Sequence, residues 1–130
     1  MKKSLNKKER LKSRKEIELL FKEGQRLNVS LWRVFFVLKK EEELSKDAVR
    51  LQFGVGASSR FFKRAVDRNR IKRLGREAWR LQKQVVYEML EQQNIGLNVF
   101  FIYTGRELPD YDQVYTATAD AIQKLMTRIK

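Results

Sequence analysis

Between Arg60 and Arg80 the chain carries nine Lys or Arg residues against two acids, Asp67 and Glu77. Within RAVDRNRIKRLGREAWR, residues 64–80, basic side chains recur at every fourth position: Arg64, Arg68, Lys72, Arg76 and Arg80. Residues four apart are neighbours on a helix, so like charges in this register weaken the segment unless an outside partner neutralises them. Arginine dominates, and its guanidinium fork pairs bidentately with phosphate and stacks on exposed bases. The chemistry this stretch can do is therefore binding, with RNA or DNA as the partner. Asn69 sits among the arginines with an amide that both donates and accepts, which suits a 2′-hydroxyl or a base edge. A local side-chain bond that helps start the helix is the alternative reading of the same residue.

The rest of the composition narrows the field. The net charge is +13 over 130 residues, a balance that attracts polyanions and makes the isolated chain repel itself. With no cysteine and no histidine, thiolate metal sites, disulfides and imidazole general-base catalysis are all unavailable. Glu41, Glu42 and Glu43 fall in a polar run and read as solvated, not as a metal cluster. The basic start MKKSLNKKERLKSRK is followed by no apolar stretch, so neither a secretory signal nor a spanning helix is expected and the location expected is cytoplasmic.

The length fits one domain with a real core. Residues 1–12 read as a flexible basic arm and 13–130 as a single RNA-binding domain. Ser13 and Glu16 have capping-box spacing, and Ile17, Leu20 and Phe21 make an apolar stripe before Gly24, which predicts a short helix over about 13–23. LWRVFFVLK, 31–39, is apolar at nearly every position, as expected of a central strand. Val49, Leu51, Phe53 and Val55 alternate with less apolar residues, and the two runs are expected to pair as a hairpin across the polar stretch 39–47. The basic helix follows a Ser-Ser turn and persists to about Gln93 with a possible break. LNVFFIY, 97–103, is another strand, and Val114, Ala117, Ala121, Ile122 and Leu125 face one side of a closing helix. One more short strand is possible near 25–29. The fold class is α+β: a single-domain sandwich of a small mixed sheet and helices, in the order α-β-β(-β)-α-β-α.

At 100° per residue, Ile71, Leu74, Ala78, Leu81 and Val85 lie within an arc of about 80°, the expected core stripe of the basic helix. Arg68, Asn69, Lys72, Arg73, Arg76 and Arg80 lie in a separate arc of about 140°. Gly75 interrupts the helix at a cost of about 1 kcal/mol relative to alanine, which points to close backbone approach either to RNA or to the sheet.

The pattern A-V-x-R-N-R-x-K-R-x-x-R-E, here Ala65, Val66, Arg68, Asn69, Arg70, Lys72, Arg73, Arg76 and Glu77, resembles the signature of the bacterial ribonuclease P protein family. The opening RLKSRKEIELLFKEG and the closing NVFFIYTGRELP are similar to the family's first helix and last strand. That resemblance implies a left-handed crossover between parallel strands and a role as protein subunit of the endoribonuclease that removes the 5′ leader from precursor tRNA. It implies two partners, the ribonuclease P RNA and precursor tRNA, with no membrane and no obligate protein partner. The catalytic centre would belong to the RNA, with Mg2+ held by RNA and substrate, and no catalytic residue or metal ligand in the protein.

Site residues follow by position. Arg64, Arg68, Asn69, Arg70, Lys72, Arg73, Arg76 and Arg80 would meet RNA. Ile17, Phe21, Phe35, Ser59, Arg60 and Lys63 would form a cleft for the single-stranded leader, with the two rings stacking on bases. Plain core packing is the competing account of both phenylalanines. The turn before the motif departs from the family's Ser-Lys-Lys and Gly, reading Ala57-Ser58-Ser59-Arg60-Phe61-Phe62-Lys63. A basic ribosomal-type RNA-binding assembly protein with no part in cleavage is the alternative function.

Overall fold

The computed structural model describes residues 9–40, 42 and 49–129. Its elements are α1 (Arg14–Glu23), β1 (Gln25–Val29), β2 (Trp32–Lys40), β3 (Leu51–Ala57), α2 (Ala65–Gln82), α3 (Gln84–Gln93), β4 (Ile95–Tyr103) and α4 (Tyr111–Ile129). The possible strand near 25–29 is β1, and the break in the long helix is a bend at Lys83. Helix α1 starts at Ser13, whose hydroxyl accepts the amide of Glu16, and ends at Gly24. The Glu16 carboxylate reaches Lys39 Nζ on β2 at 3.4 Å, so half of the capping box is used to hold the helix against the sheet.

The four strands lie in the order β1-β2-β4-β3. β1 pairs antiparallel with β2, β2 antiparallel with β4, and β3 parallel with β4. The hairpin expected between 31–39 and 49–55 does not form. β2 turns back on β1 through Ser30 and Leu31, a two-residue connection that costs far less closure entropy than the long polar run after Lys40. β4, apolar on both faces, then takes the interior place beside β2, and β3 is left at the edge. Parallel neighbours need a long crossover, which α2 and α3 supply.

Helices α2, α3 and α4 cover one face of the sheet, where Trp32, Val34, Phe36, Phe53, Val99 and Phe101 are buried. Trp79 of α2 stacks on Phe53 with centroids 4.5 Å apart and planes 7° apart. The indole N–H of Trp32 donates to the buried Thr118 hydroxyl of α4 at 3.2 Å. The α4 stripe is as expected, with Val114, Ala117, Ala121, Ile122 and Leu125 all buried. The α2 stripe is shifted. Ile71, Gly75, Ala78 and Trp79 are buried, whereas Leu81 and Val85 are exposed. Gly75 is the reason: a Cβ there would stand 3.0 Å from Val55 Cγ2 and 3.2 Å from the Trp32 ring, so the helix approaches the sheet along its glycine. The contact line therefore runs through Gly75 and Trp79, and Leu81 and Val85 fall to one side of it.

The opposite face of the sheet carries α1 and a smaller cluster of Leu11, Leu20 and Phe35 with Ile17, Phe21, Val37, Phe100 and Ile102 around it. Part of the expected arm is moored here. The Leu11 amide donates to the Phe53 carbonyl at 2.8 Å, Arg10 bridges to Phe53, and Glu9 pairs with the buried ammonium of Lys83. The segment thus lies along the free edge of β3, where unpaired strand groups are available. Residues 1–8 of that arm lie outside the described residues.

Candidate nucleic-acid interface

The fourfold row of basic residues is divided by the structure into side chains with different tasks. Arg64 precedes the helix and lies 4.0 Å from Asp67. Arg68 turns back and donates through Nη1 to the carbonyls of Phe62 and Lys63 at 2.7 and 2.8 Å, which holds the turn entering α2. Arg80 donates to Glu77 at 3.1 Å; this hydrogen bond holds the Glu77 carboxyl below its ordinary range and raises Arg80. Arg76 is half-buried, and burial first, then the nearby Arg10 charge, lowers its guanidinium, which still stays protonated at any physiological pH. Lys72 is half-buried as well.

Arg70, Arg73 and Asn69 are exposed and have no hydrogen bond or ion pair among the described residues. The local helix-starting bond considered for Asn69 is therefore not made. Asn69, Arg70, Arg73 and Arg76 line one groove of about 810 Å³, closed on its other side by Leu108, Pro109 and the start of α4. Asp110 and Gln113 close that end by exchanging side-chain and backbone hydrogen bonds at 2.8 and 3.0 Å. Arg64 joins the groove, while Arg68, Lys72 and Arg80 are not part of its lining. The part of the helix region that lines the groove is thus 64, 66–67, 69–70, 73 and 76, and of the row 64, 68, 72, 76 and 80 only Arg64 and Arg76 belong to it. Sequence spacing could not separate these sets, because Arg68 is withdrawn by carbonyls of a turn whose path only the fold determines.

On the other face of the sheet, the cleft residues Ile17, Phe21 and Phe35 come together. Phe21 meets Phe35 edge-on with centroids 4.9 Å apart and meets Phe100 at 5.2 Å. Phe35 is 6% exposed and lies under the Arg26 guanidinium at 5.5 Å, whereas Phe21 and Phe100 are half-open. Phe100 was missed in the sequence. Its ring covers β3 where Gly54 and Gly56 leave the strand bare; a Cβ at Gly54 would stand 2.5 Å from the ring. The i, i+2 pair of glycines in LQFGVG was the signal: it marks a strand face kept clear for a large neighbour. Ser59, Arg60 and Lys63 are exposed in the turn that leaves the C-terminal end of β3, beyond these rings.

The two surfaces therefore lie on opposite faces of one sheet: a cationic groove on the α2 side and an aromatic, partly open cleft on the α1 side. No helix among the described residues is long and apolar enough to cross a membrane.

Known proteins share this arrangement of sequence and fold. The ribonuclease P family profile matches residues 5–129. The ribonuclease P protein component of Porphyromonas gingivalis W83 is 37% identical over 125 residues, covering 96% of this chain and 85% of that protein. The corresponding protein of Chlorobaculum tepidum is 36% identical over 110 residues, covering 84% of this chain and 65% of its own length. Among solved structures, the RNase P protein of Staphylococcus aureus superimposes with a TM-score of 0.68 at 17% identity, covering 90% of this chain and 94% of its own. That of Thermotoga maritima gives 0.66 at 24% identity, covering 89% and 96%. The chain belongs to the ribonuclease P protein family.

Proposed function

We propose that this chain is the protein subunit of ribonuclease P, which binds the ribonuclease P RNA and the 5′ leader of precursor tRNA and so promotes endonucleolytic removal of the leader. The observation that carries this reading is the pairing, on opposite faces of one sheet, of a groove in which Arg70 and Arg73 have no ion-pair partner among the described residues and a cleft floored by phenylalanine rings. A protein that only binds folded RNA has use for the first surface and none for the second. The ribosomal-type assembly reading is therefore not favoured.

Arg70, Arg73, Arg76 and Asn69 meet the RNA subunit, with bound phosphates replacing condensed counterions along the groove. Arg64, Lys72 and Arg80 flank that contact, and Arg68 shapes it by holding the turn at Phe62 and Lys63. Phe21, with Phe35 and Phe100 behind it and Ile17 beside it, receives leader bases by stacking, and Ser59, Arg60 and Lys63 meet the backbone beyond. On this reading bond cleavage belongs to the RNA, and Mg2+ held by the RNA and the substrate would supply an activated water and charge stabilisation. The work of the protein is to raise substrate affinity and screen phosphate repulsion, tasks for which a chain without histidine or cysteine is equipped. Its place of action is the cytoplasm, with precursor tRNA.

The test is reconstitution with a ribonuclease P RNA at low Mg2+, where RNA alone cleaves poorly. Addition of the protein is expected to restore cleavage at the mature 5′ end, with no cleavage by protein alone. No stimulation by a folded protein, or site-specific cleavage by nuclease-free protein without RNA, would overturn the reading.

A further inference from the structure

We propose that the Phe61 ring, flanked by Arg60 and Arg106, is a stacking platform for one base of single-stranded RNA, separate from the cleft of Phe21, Phe35 and Phe100. The inference rests on the leader-binding reading and adds a second stacking point to it.

Phe61 and Phe62 are adjacent and have opposite fates. Phe62 is buried and meets Tyr103 at 5.9 Å, so it closes the core at this end of the sheet. Phe61 is 42% exposed and is not among the residues of either core cluster. What surrounds it is positive. The Arg106 guanidinium lies 5.1 Å and that of Arg60 5.9 Å from the ring centroid, and neither has a carboxylate partner among the described residues. These two arginines come from different segments, one from the turn after β3 and one from the loop after β4. Because β3 and β4 run parallel as neighbours, both segments leave the sheet at the same end. Lys63 and Arg64 follow in the same turn, both exposed.

An exposed ring flanked by two arginines, neither paired with an acid among the described residues, is the pattern of a base-stacking surface. One ring is too small a patch for an apolar protein partner or for insertion into a lipid surface. The magnitudes permit exchange. An exposed cation–π contact is worth roughly a factor of 2 to 5 in an equilibrium, and a base stacked on an aromatic roughly 5 to 150. An arriving base therefore displaces a guanidinium from the ring, and the freed guanidinium is placed to meet the neighbouring phosphate. The position also suits a strand in passage. Phe61 lies in the segment joining β3, whose Gly54 and Gly56 underlie Phe100, to α2, which carries the cationic groove.

The experiment uses holoenzyme reconstituted with ribonuclease P RNA and precursor tRNAs carrying 2-aminopurine at successive leader positions, with mature tRNA as control. Wild-type protein is expected to quench the fluorophore at a leader position that Phe61→Leu no longer quenches. Phe61→Leu should weaken precursor binding about fivefold or more, leave mature tRNA binding unchanged, and unfold at the wild-type temperature. Phe61→Trp should restore both quenching and affinity. Wild-type preference for the leader together with an indifferent Phe61→Leu overturns this inference alone, and equal weakening of precursor and mature tRNA overturns it too. A wild-type protein that shows no preference for leader-bearing RNA defeats the function reading and this inference with it.

Discussion

At the scale of single residues, the cleft presents aromatic rings with unequal access. Phe35 lies beneath Arg26 and against Phe21, which leaves little of its face for a ligand. Phe21 stands at the rim and is half-open. The two should therefore respond differently to the same change. Phe35→Leu is a near-volume-conserving swap in a packed site and should lower stability by about 1 kcal/mol, with a small effect on leader binding. Phe21→Leu should leave stability nearly unchanged and cost about 1 to 3 kcal/mol of binding to leader-bearing precursor, with mature tRNA unaffected. Thermal unfolding of the free protein, beside affinities of the holoenzyme for the two RNAs, separates these outcomes. If Phe35→Leu proves the more damaging to leader binding at unchanged stability, the base sits deeper than the geometry allots.

At the scale of elements, what the sequence reveals is what depends on neighbours along the chain. The Ser13 cap, the α4 stripe from Val114 to Leu125 and the apolar runs of β2 and β4 are local patterns, and all appear where the periodicity places them. Pairing is different. Three runs were apolar enough to lie beside β2, and the choice fell to β1 through a two-residue turn and to β4 through its two apolar faces, a competition no window of sequence contains. The candidate site divides the same way. The cationic helix and the rings of α1 and β2 were legible, whereas Phe100 and the withdrawal of Arg68 depend on strand order and on the path of a turn. Gly75 joins the two levels, because its cost to the helix was visible and its partner was not. Its hydrogen faces Val55 and Trp32 on the sheet, so Gly75→Ala gains about 1 kcal/mol of helix propensity and loses more to overpacking, typically 1 to 3 kcal/mol. The expected outcome is a net loss of about 1 kcal/mol, read as a lower unfolding temperature, with RNA affinity unchanged once folded. A stabilised variant with weakened RNA binding would place RNA, not the sheet, against this glycine.

At the scale of the whole molecule, a net charge of +13 produces a field that draws in any polyanion, so affinity for RNA alone says little about which face is used. The salt dependence says more, because a bound phosphate releases counterions in proportion to contacts made. Arg70 and Arg73 are exposed, lack acid partners among the described residues and share the groove with Asn69. Replacing both with alanine should reduce the slope of log affinity for the RNA subunit against log salt by about 1.4 to 1.8, from about 0.7 to 0.9 per lost contact. Lys124→Ala with Arg128→Ala removes the same formal charge from the far end of α4, where both residues are exposed, and should leave the slope nearly unchanged. Arg68→Ala is a poor probe of the same question: it frees the Phe62 and Lys63 carbonyls and should disturb the turn into α2 before any phosphate contact is counted. Its signature is a lower unfolding temperature that lysine does not restore, since one ammonium cannot reproduce the guanidinium geometry. Equal slope changes for the groove pair and the α4 pair would mean that RNA responds to total charge alone, and the groove would lose its claim as the interface.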